Sequence, residues 1–379
     1  MADFGSFQDG IYAEGLLAKH RRFPYTFTDL EERARQVLDT ATFDYVRGGA
    51  GDEHTQDINV TELRRYGFVP RMLRDRSVRD LSTTFLGHEL EAPVLLCPVG
   101  VNGMVHEDGD LEVARAAARL GVAAMYSTLS EAPLEHVAEA RGDSFAAFQL
   151  YPTKDDVLTD SLVRRAAAAG FDALTITLDT GSLGWRPRDL ANGYIPFLRG
   201  RGLANYLSDP RFLELCGVDN PPPLHAGIVW SSLFSKPTFS WDDIARIRRL
   251  TELPIILKGI CHTEDARRAA AEGVDAIACS NHGGRQANGG LPAIDHLEGV
   301  LDAGLPVTFD SGIRDGVDIL RVVGLGATLA GIGRPYVYGL TIGGAAGVEH
   351  VVRSMLAEAD LTMAADCLTT LADLHIVKR

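Results

Sequence analysis

The chain has 379 residues, 46% of them hydrophobic and 23% charged, with a formal net charge of −14. That composition belongs to a globular protein with a sizeable core, and its acidity argues against a nucleic-acid partner, which needs clustered lysine and arginine. No window approaches the roughly 20 apolar residues of a membrane span, no basic stretch followed by an apolar run opens the chain, and the five scattered cysteines have no CxxC spacing, so a cytoplasmic protein without a structural metal or disulfide framework is expected.

Residues 1–92 are expected to be an extension. They hold a helix capped at Thr28 or Asp29 and running to Leu38, then Phe43-Asp44-Tyr45-Val46-Arg47-Gly48-Gly49-Ala50-Gly51, but no second core of domain size. From 93 to 379, short apolar runs bounded by turn residues predict eight strands at 93–98, 122–126, 145–150, 173–178, 254–257, 276–279, 306–309 and 328–332. Stretches of helical periodicity lie between them at 110–120, 155–169, 263–272 and 314–323, with Thr263 and Asp315 available for the starts of the last two. The strand ends near Pro98, Ser127, Gln149, Asp179, Lys258, Ser280, Asp310 and Gly333 are 29, 22, 30, 79, 22, 30 and 23 residues apart. Six of those intervals fit a βα unit, which predicts one (β/α)₈ TIM barrel domain rather than a doubly wound open sheet. The long interval predicts a loop insertion at about 188–240, rich in proline and glycine, as a lid, a passive insertion or a subunit contact.

Polar or glycine-bearing residues stand at all eight predicted strand ends, the catalytic face of such a barrel. After strands seven and eight, Asp310-Ser311-Gly312-Ile313-Arg314 and Gly331-Ile332-Gly333-Arg334 combine glycines that admit an anion with guanidinium donors. With no GxGxxG after an early strand, a mononucleotide such as FMN fits better than a dinucleotide. Lys258 ends an apolar run, where a buried cation needs either an anionic ligand edge or a barrel carboxylate. Gln149 and Thr177 can hydrogen-bond a ring heteroatom. In Ser280-Asn281-His282-Gly283-Gly284-Arg285, His282 suits a general base, Asp179 can hold its tautomer, and Arg186 with Arg285 can clamp a carboxylate, Tyr45 and Tyr151 orienting the rest. Cys261-His262 lacks neighbours that would complete a metal site.

These residues resemble the FMN-dependent 2-hydroxy acid oxidases and dehydrogenases. The resemblance runs from Phe43-Asp44-Tyr45 past Gly333-Arg334, and its most specific element is Ser280-Asn281-His282-Gly283-Gly284-Arg285-Gln286. Gly48 to Gln56, Gly184-Trp185-Arg186-Pro187-Arg188-Asp189-Leu190 and Gln286 to Pro292 are most similar to the lactate 2-monooxygenase members. The resemblance implies that His282 takes the substrate proton with Asp179 beside it. Arg186, Arg285, Tyr45 and Tyr151 would hold the acid. Pro98, Val99, Gly100, Ser127, Gln149, Thr177, Lys258 and Ser280 would surround the flavin, and Asp310, Gly312, Arg314, Gly333 and Arg334 its phosphate end. It further implies a small L-2-hydroxy acid and O₂ as reactants and a homo-oligomer, tetramer or octamer. Lactate 2-monooxygenase chemistry is the first expectation. Oxidase release of keto acid and peroxide, or a dehydrogenase acting on an acid such as mandelate, are the alternatives. Val101-Asn102-Gly103-Met104-Val105-His106 departs from the apolar stretch of the lactate enzymes and points to a larger or more polar acid. A non-redox FMN isomerase would not need the base and paired arginines, and a non-catalytic scaffold would not need all these positions filled.

Overall fold

A computed structural model describes residues 3–17, 19 and 23–379. Eight parallel strands close into a barrel, each paired with its sequence neighbours and the last with the first. They are β1 (Val94–Leu96), β2 (Ala123–Ser127), β3 (Ala146–Leu150), β4 (Ala173–Thr177), β5 (Ile255–Ile260), β6 (Ala276–Cys279), β7 (Val307–Phe309) and β8 (Leu329–Ile332). Helices cover the outside, among them Gly109–Leu120, Asp156–Ala168, Thr263–Ala271 and Gly316–Gly324 near their predicted places. Leu134–Ala140, Trp241–Arg248 and Ile294–Leu301 complete the units between strands. Asp315 caps its helix by accepting from the Asp318 amide, whereas at the other predicted start His262 is the cap and Thr263 the first helical residue.

The strands are mostly apolar on both faces because both are covered. Inside the barrel Leu95, Met125, Ala147, Ile256, Ala278 and Leu329 pack with Phe85 and Leu90 of the hairpin Thr83–Phe85 and His88–Leu90. Phe85 also packs edge-on against Phe145, the residue just before β3, so the hairpin stoppers the N-terminal end of the barrel. Phe85 is fully buried, which contributes about 1.5–3 kcal/mol. The opposite, C-terminal end stays open.

Three expectations change. The first helix of the extension, Phe27–Val37, is capped by Thr26, which accepts from the Asp29 amide, rather than by Thr28 or Asp29. Lys258 lies within β5, not at its end: a register shift at Lys258/Ile260, with Gly259 at φ 105°, lets the strand continue two residues further. The insertion is helical rather than an irregular loop, with Pro187–Asn192, Pro196–Arg199, Ala204–Leu207, Pro210–Cys216 and Pro223–Leu233. Four of these five begin with proline, and Gly193, Gly200 and Gly217 end three of them in the left-handed conformation. The residues that suggested a loop are therefore helix starts and stops. Phe197, Tyr206, Phe212 and Trp230 give the insertion a buried aromatic core. Asn205 pins it to the barrel, accepting from the Leu134 amide at 2.6 Å and donating to the Thr128 carbonyl at 2.9 Å.

After β8 the helical segment Arg334–Ala365 breaks at Gly343 and Gly344 and turns back on itself. Residues 66–68 pair antiparallel with 376–378, tying the end of the extension to the C-terminus. Among the described residues, no helix is long and apolar enough to cross a membrane.

Candidate active site

The C-terminal strand ends open on a cleft holding about 1180 Å³ of empty space, counted out to its mouth. Pro98, Val99 and Gly100 line it after β1, Tyr151 after β3, Lys258 from β5, and His282 and Arg285 after β6. Asp310, Gly312 and Arg314 follow β7, Gly333 and Arg334 follow β8, Tyr45 comes from the extension and Arg186 from the start of the insertion. Five expected residues stand behind this lining rather than in it. Ser127 donates to Gln149 Oε1 at 3.1 Å and Gln149 Nε2 to Thr177 Oγ1 at 2.9 Å, a buried chain across β2, β3 and β4. Ser280 and Asp179 contact Lys258 and His282.

The turn that carries His282 is built by short-range polar contacts. Asn281 accepts from the Gly284 amide and exchanges two 2.8 Å hydrogen bonds with Asn59 of the extension. His282 itself has φ 58°, a left-handed conformation costly for a side-chain-bearing residue and found preferentially at functional sites. Its amide donates to Ser280 Oγ at 3.0 Å, and Ser311 Oγ accepts from the Gly283 amide at 3.0 Å. Nδ1 lies 2.8 Å from Asp179 Oδ1. A carboxylate only accepts, so Nδ1 carries hydrogen and Nε2 is left as the basic nitrogen on a ring that lines the cleft. Burial holds this imidazole below its usual value, opposed by Asp179 and reinforced by Lys258 and Arg186. Asp179 is pushed up by burial, but His282 and Lys258 win and keep it below the usual carboxylate range.

Lys258 has the carboxylate partner that its burial requires. Its Nζ is 3.2 Å from Asp310 Oδ2 and donates to Ser280 Oγ at 2.8 Å, while Ser280 Oγ donates to Asp310 Oδ1 at 2.8 Å. Burial works against this ammonium, but Asp310 and Asp179 outweigh it and keep it charged. One cation therefore reaches the cleft floor beside two acids already committed to it.

At the mouth, Arg186 Nε donates to the Arg285 carbonyl at 3.1 Å and Nη2 to Gln286 Oε1 at 2.8 Å. Arg285 lies over the Tyr45 ring at 5.3 Å and donates to the Gly48 carbonyl. Burial first, and then Arg186, push Arg285 down to about 10. Asp189, 3.8 Å from Arg186, is the nearest acid. Burial pushes the Tyr151 phenol up to about 12, so it is a hydrogen-bond donor at neutral pH. Sequence reasoning gave no role to Asp189, Gln286, Ser311 or Thr180. Their types are ordinary; Asp189 and Ser311 are sequence neighbours of Arg186 and Asp310, while the fold brings Gln286 to Arg186 and Thr180 to His282.

The far end of the cleft is cationic. Arg334 donates to the Val46 and Gly48 carbonyls and to Gln56, and Arg314 to its neighbour's carbonyl while lying 4.4 Å over Phe27. No carboxylate pairs with either guanidinium among the described residues. Burial holds Arg334 well below its usual range, with Arg285 and Arg314 adding repulsion, and Arg314 is lowered by burial too. Gly312 has φ 103°, and a Cβ there would lie 2.4 Å from the Asn59 carbonyl oxygen, so only glycine brings the backbone around this corner. Unpaired cations facing a cavity call for an anion.

A protein-family model described as FMN-dependent dehydrogenase matches residues 34–378. An L-lactate oxidase of Lysinibacillus sphaericus is 38% identical over 358 residues, covering 94% of this chain and 92% of that protein. An FMN-dependent alpha-hydroxy acid dehydrogenase of Penicillium citrinum is 37% identical and covers 98% and 94%. Human 2-hydroxyacid oxidase 1 is 36% identical and covers 89% and 91%. Among solved structures, mandelate oxidase with (S)-4-hydroxymandelic acid superposes with a TM-score of 0.84 at 33% identity, covering 94% of this chain and 99% of that one.

Proposed function

The chain belongs to the FMN-dependent dehydrogenase family, and from that premise we propose that it oxidises a small L-2-hydroxy acid to the 2-keto acid and delivers the electrons to dioxygen, releasing hydrogen peroxide. FMN is the cofactor, and the residues present fit it: Arg314 and Arg334 are cations without carboxylate partners at the end of the cleft where a phosphate would lie. When bound, FMN supplies the two-electron acceptor.

The observation that carries the reading is His282, held from behind by Asp179 and lining the same cleft as Arg186 and Arg285. His282 Nε2 takes the substrate proton. Asp179 holds Nδ1–H and stabilises the imidazolium that results. Arg186 and Arg285 clamp the substrate carboxylate, and Tyr45 and Tyr151 orient its hydroxyl. Lys258, with Asp310 and Ser280 around it, would supply positive charge to the flavin ring, with Pro98, Val99 and Gly100 also lining its place and Ser127, Gln149 and Thr177 behind them. Gly312, Arg314, Gly333 and Arg334 would hold the phosphate. The oxidase outcome is supported by relatives named as oxidases.

A second reading, lactate 2-monooxygenase-like conversion to acetate, carbon dioxide and water, is favoured by the insertion. Phe197 and Phe234 bring an aromatic wall to the cleft, which would retain the keto acid until peroxide decarboxylates it. Products separate the two. Turnover of L-lactate and L-mandelate in air should give keto acid and peroxide in equal amounts. Decarboxylated acid without free peroxide moves the protein to the monooxygenases, and turnover only with a dye acceptor moves it to the dehydrogenases. Exposed Leu183, Trp185, Leu190, Leu224 and Ile228 support a homo-oligomer, which sedimentation measures, and five free thiols support a cytoplasmic location.

A further inference from the structure

Behind the cleft wall two of the five cysteines meet. Cys261 directly follows β5, Cys279 is the last residue of β6, and Ile260 is opposite Cys279 in the pairing of those strands. Adjacent strands lie about 4.8 Å apart, and an offset of one residue keeps the two Cα atoms within the roughly 4.4–6.8 Å that a disulfide spans. Cys279 is fully buried and Cys261 half-buried. Cys261 Sγ donates to the carbonyl of Ser280, the residue next to Cys279, at 3.1 Å, and Cys279 Sγ donates to the Ala293 carbonyl at 3.8 Å. The neighbouring Cys279 thiol lowers Cys261 below its usual value, while the Cys261 thiol together with burial holds Cys279 far above it. Of the pair, the more exposed sulfur is thus also the more readily ionised, the combination that selects a peroxide-reactive thiol.

We propose that Cys261 and Cys279 are a peroxide-responsive thiol pair that closes to a disulfide beside the active site. The source of the oxidant rests on the reading above, that turnover releases hydrogen peroxide. The Cys261 thiolate attacks one oxygen of hydrogen peroxide, the O–O bond breaks, hydroxide leaves, and Cys261 becomes a sulfenic acid. Cys279 sulfur then displaces the hydroxyl from Cys261, forming the S–S bond, while its proton leaves with that hydroxyl as water. In sum two thiols and one peroxide become a disulfide and two waters, sulfur being oxidised and peroxide reduced. Oxidation removes the S–H donor from the Ser280 carbonyl and ties the start of the Ser280–His282 turn to β5. Ser280 Oγ holds both Lys258 Nζ and the His282 amide, so the product restrains the base that made it.

The test treats FMN-loaded enzyme with hydrogen peroxide in the absence of substrate and maps peptides without reduction. A Cys261–Cys279 cross-link, loss of activity, and recovery of both thiols and activity with dithiothreitol are expected. Cys261→Ser keeps a donor toward the Ser280 carbonyl and should retain its activity through the same treatment. Absence of the cross-linked peptide, or equal inactivation of Cys261→Ser, overturns the proposal. A parallel arm replaces added peroxide with 2-hydroxy acid turnover, with and without catalase. A cross-link that catalase prevents supports both readings. A cross-link with added peroxide but none during turnover leaves the thiol pair standing and removes peroxide release.

Discussion

An imidazole withdrawn from water beside Lys258 and Arg186 titrates below the usual histidine value, even though Asp179 pulls the other way. Acting as a base, His282 is competent when neutral, so kcat/KM should rise with pH through an acid limb below 6.5 and be level at neutrality. Removing the carboxylate removes the one group that raises this value. Asp179→Asn should therefore move the limb to still lower pH and cut kcat by about 10²–10⁴; a limb that moves upward contradicts the pairing. His282→Ala should lose a similar factor in kcat/KM while purifying yellow, because no phosphate-end residue has changed. The same shift has a stability consequence. The unfolded chain binds a proton at His282 before the folded one does, so this residue removes stability as pH falls below the ordinary histidine value. Urea midpoints of wild type and His282→Ala across that range should diverge, with wild type losing more on acidification.

At the scale of elements, the return of the last helical segment depends on two glycines. A Cβ on Gly347 would lie 1.9 Å from the Gly339 carbonyl oxygen, and one on Gly339 would lie 2.5 Å from that of Gly347. The two helical arms touch backbone to backbone below the turn at Gly343 and Gly344. Gly347→Ala should therefore cost about 1–3 kcal/mol through overpacking, seen as a lower Tm, in spite of alanine's better helix propensity. An unchanged or raised Tm would mean that the arms do not cross here. The helix starting at Arg334 begins at the cationic end of the cleft, so a forced separation of its arms should also weaken FMN retention. The insertion teaches a related point about reading sequence. Pro187, Pro196, Pro210 and Pro223 with Gly193, Gly200 and Gly217 look like loop composition when counted together, and like helix starts and stops when placed in order.

For the whole molecule, the decisive electrostatic feature is that Arg314 and Arg334 converge with Arg285 and, among the described residues, form no ion pair with a carboxylate, in a protein whose net charge is −14. Asp318 and Glu31 act on Arg314 from nearby, but burial outweighs them. Apo-protein should be destabilised by the mutual repulsion, and any anion that fits should relieve it. FMN at a free concentration of 100 times its Kd should contribute about 2.7 kcal/mol, and inorganic phosphate should recover part of that rise in Tm while chloride at equal ionic strength recovers less. Equal effects of the two salts would reduce the cradle to general screening. The strand pairing of residues 66–68 with 376–378 joins the extension to the end of the chain. Arg334 and Arg285 bond to the carbonyls of Val46 and Gly48, so the extension also supplies part of the wall of the site.

The alternation of apolar runs and helical stretches, and the even spacing of their ends, made the barrel legible from sequence alone, because strands covered on both faces are mostly apolar. The motif around His282 and the glycine–arginine turns after β7 and β8 were legible for the same local reason, since a turn's chemistry is written in consecutive residues. What lies far apart in sequence was not. Asn59 against Asn281, Gln56 against Arg334, and Asp189 near Arg285 depend on where the extension and insertion come to rest. The choice between a carboxylate and a flavin edge as the partner of Lys258 also waited for the barrel to bring Asp310 within 3.2 Å. Periodicity is a property of neighbours in the chain, whereas burial, pairing and the resulting shift of each ionisable group are properties of neighbours in space.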